Sequence, residues 1–264
     1  MTASHAAAAT TKGVGTVKVT VMGASGLIGK LLVDLLTREG EDVVAASRRS
    51  GVDVLSGVGL AKALAGADAL VDVTNSPSFE DDEVMDFFVG ATTNLVAAAR
   101  AAGVGHYVAL SIVGVDGLPD SGYLRAKAAQ ERIIASSGLP YTIVRATQFH
   151  EFARAIVDSM VVEADTDEGD EHDVRVPDAL IQPIAADEVA AYLAEVAIEP
   201  PRNHVINIGG PEKFPFSRLA REVLALRHDD QRVVIDPHAK YFGTTLKKES
   251  LVTGAGAMIA SIPF

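Results

Sequence analysis

The chain has 264 residues, 48% apolar and 22% charged, and a formal net charge of −12. That length buries a full core in one integrated domain, and the acidic balance excludes a nucleic-acid partner, which needs a basic face. There is no cysteine, which excludes disulfides, thiolate metal sites and a thiol nucleophile and suits a reducing, cytoplasmic setting.

Residues 1–16 are rich in small side chains but lack the apolar stretch of a signal peptide, so they read as a disordered lead-in. The sequence holds no run of ~18 apolar residues for a membrane span. Five runs with strand character follow: VKVTVM (17–22), DVVAAS (42–47), DALVDV (68–73), HYVALS (106–111) and YTIVRA (141–146). Helical patterns near 27–39, 57–66, 82–102 and 121–137 lie between them. Strands separated by crossover-length helices predict βαβ units and a parallel sheet, and nearly continuous apolar strands predict helices on both faces.

The expected fold class is α/β: a Rossmann-type doubly wound parallel sheet over 17–146, then a small C-terminal substrate-binding lobe over 147–264 with elements returning to the sheet. In that second part TQFHEFARAIVDSMV reads as an amphipathic helix and EADTDEGDEHD (163–173) as an acidic, solvated loop. VRVPDALIQPI suits short edge strands because of its prolines. DEVAAYLAEVA (187–197) and FSRLAREVLALR (216–227) read as helices, and HVINI (204–208) as a strand that returns to the sheet.

The turn after the first strand spaces Gly23, Gly26 and Gly29 as G-x-x-G-x-x-G, between a strand and a helix. Such a turn aims backbone N–H groups at an anion, with the positive end of the helix behind them. Gly23 permits the turn, Gly26 admits a diphosphate, and Gly29 lets the helix pack close to the strand. After the second strand an acid would select the ribose of NAD; the chain has Ser47, Arg48, Arg49 and Ser50 there instead. Guanidiniums offer planar forks to phosphate oxygens, so the expected cofactor is NADP(H) in preference to NAD(H).

Ser111 ends the fourth strand, and Tyr123 and Lys127, four apart, share a helix face. A lysine ammonium beside a phenol lowers its pKa from ~10 and makes it a usable proton donor, with Ser111 on the same acceptor oxygen. The bland alternative is a surface Tyr-x-x-x-Lys with no chemistry. Asn94 carries no assignment.

GASGLIG, ASRRS, VDVTNSPS, LSIVGV, YLRAK, LPYTIVRATQFHEF, LIQPIAADEVAAYLAEVA and INIGGPE together resemble the atypical, extended short-chain dehydrogenase/reductases of the NmrA-like NAD(P)-binding group, over nearly all of 17–245. The resemblance implies that Gly23, Ser25, Gly26, Leu27, Ile28 and Gly29 surround the diphosphate, and that Ser47, Arg48 and Arg49 meet the adenosine phosphate. It places Asp53 and Val54 near the adenine, Thr74, Asn75 and Ser76 at the cofactor's middle, and Lys127 on the nicotinamide ribose. Thr147, Gln148, Phe149, His150 and Phe152 would lie near the nicotinamide, the last three of the set as pocket lining for substrate. The Ser111, Tyr123 and Lys127 set resembles the catalytic group of active short-chain reductases.

The expected function is therefore an NADPH-dependent reductase of a carbonyl, or an activated C=C bond, in a small organic molecule. The alternatives are a non-catalytic NADP(H) sensor and an isomerase or epimerase that retains its cofactor. A monomer or homodimer is expected, with no metal and no membrane partner.

Overall fold

The computed structural model describes residues 15–163 and 172–264. Residues 1–14 of the expected lead-in and 164–171 of the acidic run lie outside the described residues.

The apolar runs become strands β1 (Lys18–Met22), β2 (Asp42–Ala46), β3 (Ala69–Asp72), β4 (His106–Ile112) and β5 (Tyr141–Ala146). Helices α1 (Leu27–Arg38), α2 (Leu60–Ala63), α3 (Asp81–Ala102) and α4 (Gly122–Ala135) join them. The stretch near 57–66 yields only the four residues of α2, because Gly57, Gly59 and Gly66 all sit at positive φ and break the helical path. Residues 147–161 also depart from the expected single helix. Thr147–Phe149 stay extended, with Phe149 bridged to Ile184, and only α5 (Ala153–Asp158) is α-helical.

The remaining elements are β6 (Val161–Glu163), β7 (His172–Val176), β8 (Leu180–Ile181), α6 (Ala186–Ile198), β9 (Val205–Gly209), β10 (Phe214–Pro215) and α7 (Phe216–Arg227). Then come β11 (Arg232–Ile235), β12 (Lys240–Tyr241), β13 (Thr244–Thr245) and β14 (Met258–Ile259). Seven strands make one parallel sheet in the order β14-β9-β5-β4-β3-β1-β2. Smaller sheets pair β10 with β8, β11 with β7 and β6, and β12 with β13.

Alternation along β4 shows how the layers form. Tyr107 and Ala109 enter the core under α2, α3 and α4, while Val108 faces the opposite core with Leu32 of α1 and Leu193 of α6. A third cluster, with Val174, Ile181, Phe214, Phe216 and Leu219, holds the C-terminal part together. Beyond β14 the chain is tied back by Glu188, whose carboxylate accepts from the backbone N–H and the hydroxyl of Ser261 at 2.6 and 2.8 Å. No described helix is long and apolar enough to cross a membrane.

Strand order reverses between β1 and β3, so the carboxyl ends of these strands open a crevice, the place where open α/β sheets bind ligands.

Candidate cofactor and active site

A cleft of about 260 Å³ opens at that reversal, lined by Gly23, Ser25 and Gly26, by Ser47, Arg48, Val52 and Val54, and by Thr74, Asn75, Pro77 and Phe87. Gly23 has φ +92°, and a Cβ there would come within 2.7 Å of the Val73 carbonyl oxygen, so β3 can close on the turn only over a glycine. Gly29 serves the turn and not the strand as expected: a Cβ on it would meet the Gly23 carbonyl oxygen. The N–H groups of Gly23 and Ala24 are already spent, both donating to the Ala46 carbonyl at 3.0 and 3.1 Å. The donors left for an anion are those of the first turn of α1, at Leu27, Ile28 and Gly29, which have no acceptor within their helix. The Ile28 side chain itself points into the core.

Ser47 through Ser50 form a tight turn, with the Ser50 hydroxyl accepting from the Ser47 N–H and donating to the Ser47 carbonyl, each at 2.9 Å. Arg48 and Arg49 are exposed and take part in none of the ion pairs among the described residues; Arg48 lines the cleft and Arg49 stands beside it. Asp53 lies between the lining residues Val52 and Val54 without lining the cleft itself. Its carboxylate accepts from the Leu55 N–H at 2.9 Å, and that bond is the main reason its pKa is lowered, the Arg48 charge adding to it. Val54 does line the cleft, and its loop is held by Asn94, whose Nδ2 donates to the Val54 and Leu55 carbonyls at 2.9 and 2.8 Å. Asn94 is thus a positioning residue the sequence did not reveal, since its partners lie 40 and 39 positions away.

At the end of β3 the buried Asp72 organises a closed network. It accepts from the Thr74 N–H (3.0 Å) and hydroxyl (2.7 Å), from the Tyr107 hydroxyl (2.9 Å) and from the Gln130 amide (3.0 Å). Lys127 completes the network from α4. Its ammonium donates to the Leu110 carbonyl at 2.8 Å and to the Gln130 amide oxygen, and lies 4.7 Å over the Phe88 ring. Lys127 is therefore buried with its ammonium spent on the fold, and like Ser111 and Tyr123 it is not among the residues that line the cleft, so the expected ribose contact is not seen for it. Burial lowers its pKa to about 8, against the pull of Asp72 and Glu131.

The Tyr123 hydroxyl donates to Asn75 Oδ1 at 2.8 Å, which places it at the edge of the cleft that Asn75 lines. Here too the expectation needs correction. The lysine does not lower this phenol's pKa; burial raises it to about 12. Ser76 spends its hydroxyl on the Ser78 N–H at 3.2 Å.

The ends of β4 and β5 carry a different kind of polar group. Ser111 Oγ, Thr147 Oγ1, both amide atoms of Gln148 and His150 Nε2 are buried without any hydrogen-bond partner among the described residues. Ser111 pairs in register with Arg145, so Thr147, two positions on, projects from the same face of the sheet, the face that α4 covers. Arg145 itself is committed to Glu131 and Asp116. Phe149 packs into the core and lies 5.5 Å from the half-exposed Phe152, and His150 stands 5.3 Å from the Phe264 ring. Unpaired buried polar atoms are few in native folds, and others here, such as Thr92 Oγ1 and Arg227 Nε, lie away from the crevice; Ser111 and Thr147, on one face of adjacent strands, are the ones placed to meet a ligand or ordered water. The glycine turn, the unpaired guanidinium and these two hydroxyls fit a dinucleotide in the crevice.

Comparison with known proteins agrees with the geometry. Residues 23–200 match a family described as NAD(P)H-binding. The (4-alkanoyl-5-oxo-2,5-dihydrofuran-3-yl)methyl phosphate reductase of Streptomyces griseus is 33% identical over 144 residues, covering 50% of this chain and 48% of the relative. The chloroplastic divinyl chlorophyllide a 8-vinyl-reductase of Oryza sativa subsp. indica is 30% identical over 229 residues, covering 74% and 55%. The chain thus spans about half the length of the curated relatives it matches. Among solved structures, dTDP-4-dehydrorhamnose reductase from Bacillus anthracis in complex with NADP superposes with a TM-score of 0.67 at 14% identity, covering 90% of this chain and 89% of that one. The Thermus thermophilus UDP-glucose 4-epimerase complex with NAD gives a TM-score of 0.62 at 19% identity, covering 89% and 91%. At such identities the structural likeness establishes the Rossmann-like fold alone.

Proposed function

The chain belongs to the NAD(P)H-binding family, and from that premise we propose that it is an NADPH-dependent reductase of a carbonyl, or an activated C=C bond, in a small organic molecule. One observation carries the reading: the Tyr123 hydroxyl bonds the cleft residue Asn75, while the Ser111 and Thr147 hydroxyls, at the carboxyl ends of β4 and β5, have no partner among the described residues. Curated relatives named as reductases support it, one of them named for a vinyl group. When bound, NADPH supplies the hydride. The first-turn amides of α1 hold its diphosphate, and Arg48, with Arg49 beside it, meets the 2′-phosphate that NAD lacks.

The remaining work falls to the protein's own side chains. Ser111 donates to the acceptor oxygen and holds it. Tyr123 is protonated at neutral pH, since burial sets its pKa near 12. It passes that proton to the oxygen as negative charge grows there. An alkoxide is a stronger base than a phenolate, so the transfer runs downhill in the direction of reduction. Lys127 acts by position. Tied to the Leu110 carbonyl and to Gln130, it fixes α4 against β4 and so sets Tyr123 beside the strand that carries Ser111.

NADPH consumption with a panel of aldehydes, ketones and enones tests the reading. Tyr123→Phe lowers kcat by roughly 10²- to 10⁴-fold while NADP⁺ affinity stays within about twofold. Undiminished turnover removes the acid role. Tight NADPH binding with no acceptor reduced turns the reading toward the sensor.

A further inference from the structure

The hairpin of β12 and β13 turns on Phe242 and Gly243, both at positive φ, +44° and +84°. That is the pattern of a type I′ turn, which Asn-Gly or Asp-Gly ordinarily fills. Three non-glycine residues among those described adopt positive φ: Asn203, His228 and Phe242. Asparagine and histidine tolerate that region, whereas a bulky aromatic residue does not. Strain of this kind persists where the side chain is needed for something else.

The Phe242 ring joins an aromatic row that leads to Tyr123, whose hydroxyl bonds the cleft residue Asn75. It stacks on Phe79 with centroids 6.4 Å apart and planes inclined by 17°, and Phe79 in turn lies 5.7 Å from the Tyr123 ring. The two phenylalanines remain 65% and 45% exposed, so each offers apolar surface to solvent. Their bases are fixed. Tyr241, next to Phe242, is buried, and the loop bearing Phe79 is pinned by the Tyr123–Asn75 hydrogen bond and by an Arg125–Asp81 ion pair of 2.6 Å.

We propose that Phe79 and Phe242 form a platform on which a planar, conjugated part of the substrate, an aryl ring or an extended enone, stacks beside Tyr123. The inference rests on the reductase reading for the role of Tyr123, but stacking itself requires no turnover. Offset and tilted ring geometry favours flat π-systems over saturated chains of equal size, so the platform selects by shape as well as by apolarity.

The test is direct binding of 6-propionyl-2-dimethylaminonaphthalene, a neutral aryl ketone whose emission reports its surroundings, to the full chain with and without NADP⁺. The protein has no tryptophan to interfere. Phe242→Asn weakens binding roughly three- to tenfold with an equal or higher melting temperature, because asparagine relieves the turn. Phe79→Ser weakens it similarly, and Phe242→Tyr keeps the affinity within about twofold. The proposal is overturned if wild type does not bind the ketone, if Phe242→Asn binds as well as wild type, or if Phe242→Tyr loses as much as Phe242→Asn. Should these affinities shift as stated while no acceptor consumes NADPH, the platform stands and the reductase reading falls.

Discussion

Two polar regions lie buried side by side at the carboxyl ends of one sheet, and they are opposites. Around Asp72 each carboxylate oxygen has two donors, and Tyr107, Gln130 and Lys127 all have partners. Around Ser111, Thr147, Gln148 and His150 the buried side-chain atoms have none. A second pair makes the same point, for buried Gln182 donates to the Gly210 carbonyl and accepts from the backbone N–H and hydroxyl of Thr253, while both amide atoms of Gln148 are idle. Saturated groups have spent their hydrogen bonds on the fold. Idle ones carry a desolvation cost that a ligand removes.

The sharpest way to break this contrast is Asp72→Ala. It strands the Tyr107 hydroxyl, the Gln130 amide and the buried lysine charge together, so unfolding by urea is expected to show a loss of about 3–5 kcal/mol. A loss below about 1 kcal/mol would mean that the network does not hold the fold together. Ser111→Ala is the complementary change. Removing a buried hydroxyl that bonds nothing leaves stability within about 1 kcal/mol of wild type or slightly raises it, while turnover with a working acceptor drops. If Ser111→Ala unfolds as easily as Asp72→Ala, the two regions are alike after all.

A third comparison sharpens the contrast through pH. In the unfolded chain Lys127 keeps its proton up to its ordinary pKa of 10.5, but in the fold it releases it near 8. Between those values the unfolded state binds more protons, so stability relative to Lys127→Met rises with pH across that window and falls again as pH drops through it. Melting curves at several pH values for both proteins read this as a shift of up to about 10 °C across the window. Wild-type stability relative to Lys127→Met that stays flat or falls from pH 8 to 10 would show the ammonium to be better solvated than its burial implies.

The parallel core was legible because its strands are short β-branched runs and its crossovers have helical periodicity, and FSRLAREVLALR is the helix Phe216–Arg227 to the residue. The glycine turn was legible because its chemistry is local. Asp72 escaped notice because its partners Tyr107 and Gln130 lie 35 and 58 positions away, and no spacing rule reaches that far. Helical spacing put Tyr123 and Lys127 on one face without fixing where the lysine chain goes, and the Phe88 ring and the Leu110 carbonyl draw it inward. The hairpin of Lys240–Thr245 was missed for a plainer reason, since Phe-Gly at its tip is not a turn signature.

Glu188 grips Ser261 and Ile262 across more than seventy positions of chain, and the edge strand Met258–Ile259 pairs with β9 across an intervening helix and small sheets. The lining of the cleft at the glycine turn, by contrast, draws on neighbours between Met22 and Phe87. Closing long loops slows assembly in proportion to their entropy. The cleft lining is thus closed by shorter loops, whereas the contact of Phe264 with His150 is closed by a longer one, and contacts at the chain's end carry a loop-entropy cost that the glycine turn does not share.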